Sequence, residues 1–144
     1  MAGIATHGSA SAPVTKRNYV SYDVYSYDDF YGWNYSYSGY SDARITSSGV
    51  NANSTVYING RSIATVDNPL SENWVATSIP SNNSYTEYRN INPNRSGTGQ
   101  GRVTTGSSNV FSNHKAVAKI GSQVTTCLGE LTTITTGSSN VFTS

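Results

Sequence analysis

Residues Thr104–Phe111 read Thr-Thr-Gly-Ser-Ser-Asn-Val-Phe, and the same eight letters recur unchanged at Thr135–Phe142, 31 positions later. Repetition at such a period means one small structural unit used several times, each copy needing its neighbours to bury an apolar side. A third, more diverged copy lies upstream, where Asn53–Val66 aligns with Ser107–Ile120. The shared pattern is a small polar pair, Val-aromatic, Asn, a basic residue, then Ile/Val-Ala-x-Val/Ile. Each copy reads as a β-hairpin. Val56-Tyr57-Ile58 and Ile63-Ala64-Thr65-Val66 are short β-type runs, and Asn59-Gly60 between them is a strong hairpin-turn signal. The second copy has Asn113-His114 at that place, and His is a poor substitute for Gly where φ must be positive. The expectation is a different turn type there, or a turn held by something that His114 binds.

A fourth echo matches Ile4-Ala5-Thr6-His7 with Val124-Thr125-Thr126-Cys127, which puts His7 and Cys127 at equivalent places after a β run. His and Cys are the commonest zinc ligands, yet the spacing of His7, His114 and Cys127 fits no zinc-finger pattern. Two readings stand. Either the three bind a metal, or His7 and His114 are surface residues and Cys127 is a small buried hydrophobe.

The remaining composition narrows the class. Only 35% of residues are hydrophobic and 12% are charged, and no window sustains a helical apolar period. The expectation is a single all-β domain over residues 1–144, rich in Ser, Thr, Asn and Gly as exposed β scaffolds are. With a formal net charge of +1 and no basic run, nucleic acid is not an expected partner. One cysteine excludes an intrachain disulfide, so any staple must be a metal or a partner protein. With no signal-like N-terminal segment and no long apolar run, the reading is a protein made in the cytoplasm.

Residues 19–40 differ from everything around them, because ten of the 22 are aromatic. They form the centre of an aromatic-rich insertion at 13–49. Tyr and Trp offer wide contact area with a polar handle and little entropy to lose, as binding loops exploit. The segment presents a glycan or receptor surface, or else its rings lie flat as cover for a domain with few aliphatics. Residues 71–101, rich in Asn, Ser, Pro and Gly, read as a second irregular loop excursion. Within it Gly97-x-Gly99-x-Gly101 reads as flexible loop.

Gly106-Ser107-Ser108-Asn109-Val110-Phe111, Asn113, Ala116-Val117-Ala118-Lys119-Ile120-Gly121 and Thr126-Cys127 together resemble the PAAR repeat. Its usual form is Gly-Ser-x-x-Val-aromatic-x-Asn-Gly-x-x-Ala-Ala-Arg-x-Gly-Asp, followed by a ligand-bearing turn. The resemblance covers roughly 102–144, 51–67 and, through Thr6-His7-Gly8, 1–12; it leaves most of 13–49 and 71–101 uncovered. Ala-Ala-Arg is Val117-Ala118-Lys119 in one copy and Ile63-Ala64-Thr65 in the other. The resemblance implies a small, conical, pseudo-threefold fold of repeated β-hairpins, near 53–67, 107–121 and (truncated) 138–142, with long irregular insertions.

By the same resemblance, the chain is the tip of a contractile injection machine of phage-tail type, located on the virion at the baseplate spike. One copy would cap a trimeric β-helical central spike protein and sharpen it for puncture of the target-cell envelope. His7, His114 and Cys127 would hold one structural metal near the apex, Zn²⁺ or iron, with Glu130 a candidate fourth ligand. Such a role is mechanical and needs no turnover. Neither a Gly-x-Ser-x-Gly elbow nor a close-set His-carboxylate cluster is present, so no enzyme is expected. The rival reading is a carbohydrate- or receptor-binding β module displaying residues 19–40.

Overall fold

A computed structural model describes all 144 residues. It is all-β, with thirteen strands and no helix. The chain divides into two compact units. A repeat unit comprises Met1–Val14, Ile45–Asn73 and Thr98–Ser144, and an aromatic unit comprises Thr15–Arg44 and Trp74–Gly97.

Three short β pairs carry the repeats in the first unit. β4 (Tyr57–Ile58) pairs with β5 (Arg61–Ser62), and β9 (Phe111–Ser112) with β10 (Lys115–Ala116). The third copy, which ends the sequence, is completed by the start of the chain: β1 (Ala2–Gly3) pairs with β13 (Phe142–Thr143) in the equivalent register. The residues that follow each pair meet in a ring. Ala64 N–H donates to Ala5 O at 2.9 Å, Ala118 N–H to Ala64 O at 2.8 Å, and Ala5 N–H to Ala118 O at 2.9 Å. All three alanines are fully buried, and where three backbones converge so closely only a small side chain fits.

The same threefold pattern extends outward from the ring. Ile4, Ile63 and Val117 donate to the carbonyls of Val141, Val56 and Val110, each at 3.0 Å. Beyond the ring come three matching turns. Ser9, Asn68 and Ser122 donate back to Thr6, Thr65 and Lys119 O, and their side chains accept from the amides of those same residues. Gly8, Asp67 and Gly121 take positive φ in these turns, at 87°, 77° and 93°.

Each turn leads into a longer β pair. These are β2 (Val14–Asp28) with β3 (Gly32–Val50), β6 (Pro69–Ala76) with β8 (Ser96–Val103), and β11 (Gln123–Thr125) with β12 (Leu131–Thr133). The hydrogen-bonded order is β12-β11-β8-β6-β3-β2, with β7 (Thr86–Asn92) beside β2. Within the repeat unit this ladder closes on itself, because Ala12 N–H reaches Thr133 O at 2.9 Å and Ser11 bridges Ile134. Closure leaves no bare edge there for another chain to extend. Inside sit Ala5, Val50, Ala64, Leu70, Val103, Ala118, Val124 and Ile134, with Ile4, Ile63 and Val117 as a second cluster.

The aromatic unit corrects an expectation. Residues 13–49 and 71–101 are not long irregular insertions; most of both lie in β2, β3, β6, β7 and β8. Val20 and Val24 on β2, and Ser41 and Ala43 on β3, are buried at alternate positions as a half-covered strand requires. Trp74 is buried with them and meets Tyr19 edge-on at 5.3 Å between ring centroids. The turn between β2 and β3 is built by Asp28, whose Oδ1 accepts from Phe30 N–H at 2.6 Å and Tyr31 N–H at 3.2 Å. Irregular backbone is confined mainly to 77–85, where Arg95 Nη1 donates to Ile79 and Pro80 O, both at 3.0 Å.

The glycine series is a second correction. Gly97, Gly99 and Gly101 belong to β8 and recur every second residue, so all three face one side of the strand. A Cβ at Gly97 would lie 2.6 Å from the Trp74 indole, at Gly99 2.5 Å from Cys127 Cβ, and at Gly101 2.7 Å from Glu72 Oε2. They are glycines because large groups lie across the strand there, not because the chain is loose.

Candidate functional site: a threefold apolar face

The three repeat pairs leave their Val-aromatic dipeptides in the open. Val56 and Tyr57, Val110 and Phe111, and Val141 and Phe142 are each between 37% and 63% exposed. They are equivalent by register: Tyr57 faces Ser62, Phe111 faces Ala116 and Phe142 faces Gly3. Exposed Val and aromatic side chains thus recur at three equivalent positions around one ring.

The sequence shapes each copy locally. Ser54 Oγ accepts from Val56 N–H, Ser107 Oγ from Val110 N–H and Ser138 Oγ from Val141 N–H, at 2.9–3.1 Å. The serine stands two residues before Val56 and three before Val110 and Val141, so each copy closes a short hydroxyl turn ahead of its Val-aromatic pair. Hydrogen bonds also tie neighbouring copies together. Asn59 Nδ2 donates to Asn140 Oδ1 at 3.1 Å, and Asn109 Nδ2 to Ser144 Oγ at 2.6 Å. Two polar cavities occupy equivalent places between copies. One of about 290 Å³ is lined by Asn59, Arg61, Thr6 and Ser138, and one of about 180 Å³ by Asn113, Lys115, Thr65 and Ser54.

The residues expected as metal ligands lie at three separate places in the repeat unit. His7 is exposed, and its Nδ1 accepts from Ala52 N–H at 3.1 Å. Its true repeat equivalents are Val66 and Ile120, because the amides of all three donate to the matching carbonyls of Ser62, Ala116 and Gly3. The match between His7 and Cys127 is therefore corrected. His114 is exposed on the β9–β10 turn with φ 66°, and Asn113 has φ 50°. The turn is the same kind as Asn59-Gly60, where φ is 53° and 79°. Of the two expectations, the different turn type is not found: His114 takes the left-handed backbone.

Cys127 is half-buried beyond β11, and its N–H donates to Glu72 Oε1 at 2.6 Å. Glu130 lies in the tight turn after Cys127, with its N–H on Thr126 Oγ1 at 3.0 Å. No group of three or more His, Cys, Asp and Glu side chains is placed to hold a metal ion. His7, His114 and Cys127 do not form such a group.

The partner that sequence reading missed is Glu72, only 3% exposed. Burial raises its carboxyl above the ordinary range, against the opposing pull of the Cys127 hydrogen bonds. Burial first, then the nearby Glu72, pushes the Cys127 thiol up to about 11. A thiol so placed stays protonated at neutral pH and is a poor nucleophile. The pair lies 55 residues apart in sequence, and the alternate glycines of β8 were the one local sign of something bulky across the strand.

Comparison with protein-family models, with curated proteins and with solved structures finds no match to this chain.

Proposed function

We propose that this chain is the tip piece of a contractile-injection spike, of PAAR-like fold and phage-tail type, and that one copy caps a trimeric β-helical partner. The threefold apolar face carries the reading. A homotrimer ends in three identical surfaces, and a single chain meets all three alike only by repeating one contact three times. The Val56-Tyr57, Val110-Phe111 and Val141-Phe142 pairs supply that repetition. Aromatic anchors with apolar neighbours are the residues that dominate stable interfaces.

The alanine ring and the closed ladder support the rest. Both favour a stiff, pseudo-threefold, conical body over a catalytic one, and stiffness is what puncture of a target-cell envelope demands. In this reading the protein resides in the virion at the spike of the tail baseplate. Its rigidity comes from hydrogen-bond closure and core packing, with no turnover.

The face can be disabled without unfolding the chain. Tyr57, Phe111 and Phe142 are exposed, so exchanging all three for Asp should shift stability by no more than about 0.5 kcal/mol per site. The triple variant should fail to co-purify with the trimeric spike. Retained binding by a folded triple variant would refute the docking role of this face.

A further inference from the structure

The aromatic unit holds a second surface that docking on a spike does not use. Tyr25, Tyr27, Trp33, Tyr35, Tyr85 and Arg89 form one continuous cluster across β2, β3, β7 and the residue that precedes β7. Tyr25 meets Tyr35 at 5.9 Å and 78°, Tyr27 meets Trp33 at 5.4 Å and 63°, and Tyr27 meets Tyr85 at 6.5 Å. The Arg89 guanidinium lies 4.3 Å from the Tyr25 ring centre and 5.5 Å from that of Trp33. Arg89 is held there by Glu87 at 2.7 Å. Beside the cluster, Asp23 accepts from Ser38 Oγ at 2.5 Å and from Asn90 Nδ2 at 2.7 Å, and Ser38 Oγ meets Tyr35 OH at 2.8 Å. Those two hydrogen bonds hold the Asp23 carboxyl below its ordinary range, so it stays an acceptor.

The rings do not serve as a core. Tyr27, Tyr35 and Tyr85 are 39%, 58% and 66% exposed, although their neighbours fix them in place. We infer that this cluster is a carbohydrate-binding platform for neutral, pyranose-rich glycans of a cell surface. The C–H face of a pyranose lies against an aromatic ring, and its hydroxyls need the donors and acceptors that Tyr, Arg, Asp and Asn set around it.

Other ligand classes fit less well. The large apolar side chains this unit exposes are aromatic with the one exception of Val75, and those of the cluster stand among hydroxyl, guanidinium and carboxylate groups that a hydrocarbon lipid tail leaves unpaired. The unit carries five basic residues (Lys16, Arg17, Arg44, Arg89, Arg95) and five acidic ones (Asp23, Asp28, Asp29, Asp42, Glu87), so it offers polyanions no net attraction. Pre-ordered Tyr and Trp side chains lose little entropy on binding, which suits a ligand with few apolar atoms.

The test is calorimetric titration of the full chain with cellohexaose, maltohexaose, mannohexaose and chitohexaose. Saturable binding to at least one is expected, with Kd raised tenfold or more by Tyr35→Ser and by Arg89→Ala at unchanged melting temperature. In a Trp74→Phe background the remaining Trp33 emission should shift on binding; Trp74 itself is only 7% exposed. Binding to none of the four sugars would overturn the proposal. So would equal affinity in wild type and a folded Tyr35→Ser variant, or binding to anionic vesicles in place of sugar. None of these outcomes touches the spike-docking reading, whose face lies in the other unit.

Discussion

Gly99→Ala separates a packed strand from a flexible loop by the sign of its effect. The added Cβ would stand 2.5 Å from Cys127 Cβ and 3.0 Å from Sγ, where carbon atoms ordinarily rest about 3.5–4.0 Å apart. Something must move by about 1 Å, and the Cys127 side cannot yield freely because its N–H is tied to the buried Glu72 carboxylate. Overpacking of this kind costs about 1–3 kcal/mol. The reduced freedom of the unfolded chain returns about 0.4–1 kcal/mol. The net loss should be about 1–2 kcal/mol, or a melting temperature lower by roughly 2–8 °C for a chain of this size. Thermal unfolding followed by far-ultraviolet circular dichroism would measure it. Gly97→Ala and Gly101→Ala should behave alike against Trp74 and Glu72, while Gln100→Ala on the other side of the strand should be nearly neutral. Stabilisation by Gly99→Ala would refute the packed-strand account.

Two further predictions concern single side chains. The raised Glu72 carboxyl means that the folded chain binds its proton more tightly than the unfolded one. Its contribution to stability is therefore greatest below the ordinary carboxylate value and declines as pH rises through the raised one. Glu72→Gln should flatten that decline in denaturant unfolding between pH 4 and 8 and speed alkylation of Cys127 at pH 8; an unchanged pH profile would contradict the assignment. His114→Gly should stabilise the chain by about 1 kcal/mol, because His pays a left-handed backbone penalty that Gly escapes. Destabilisation would show that the imidazole has a partner.

The repeats were legible because a hairpin is a local object. A serine, the Val-aromatic pair and the turn write their own hydrogen bonds within a dozen residues, as Val110 N–H to Ser107 Oγ does. Frame was harder. Ile4-Ala5-Thr6 is identical to Ile63-Ala64-Thr65 and occupies the same place in the ring. The competing match to Val124–Cys127 paired residues alike in chemistry but not in position. Strands in the aromatic unit were hidden because Tyr and Ser alternate where Val and Thr are more usual, although aromatic residues favour strands equally well. Glu72 could not be foreseen at all, since its burial depends on strands joined only in the folded sheet.

In the proposed assembly one chain presents three equivalent contacts to a trimer. Native mass spectrometry of the assembled spike complex measures this directly. One copy of this chain for every three copies of the spike protein is expected. A ratio of three to three, or a stable complex with a monomeric partner, would contradict it.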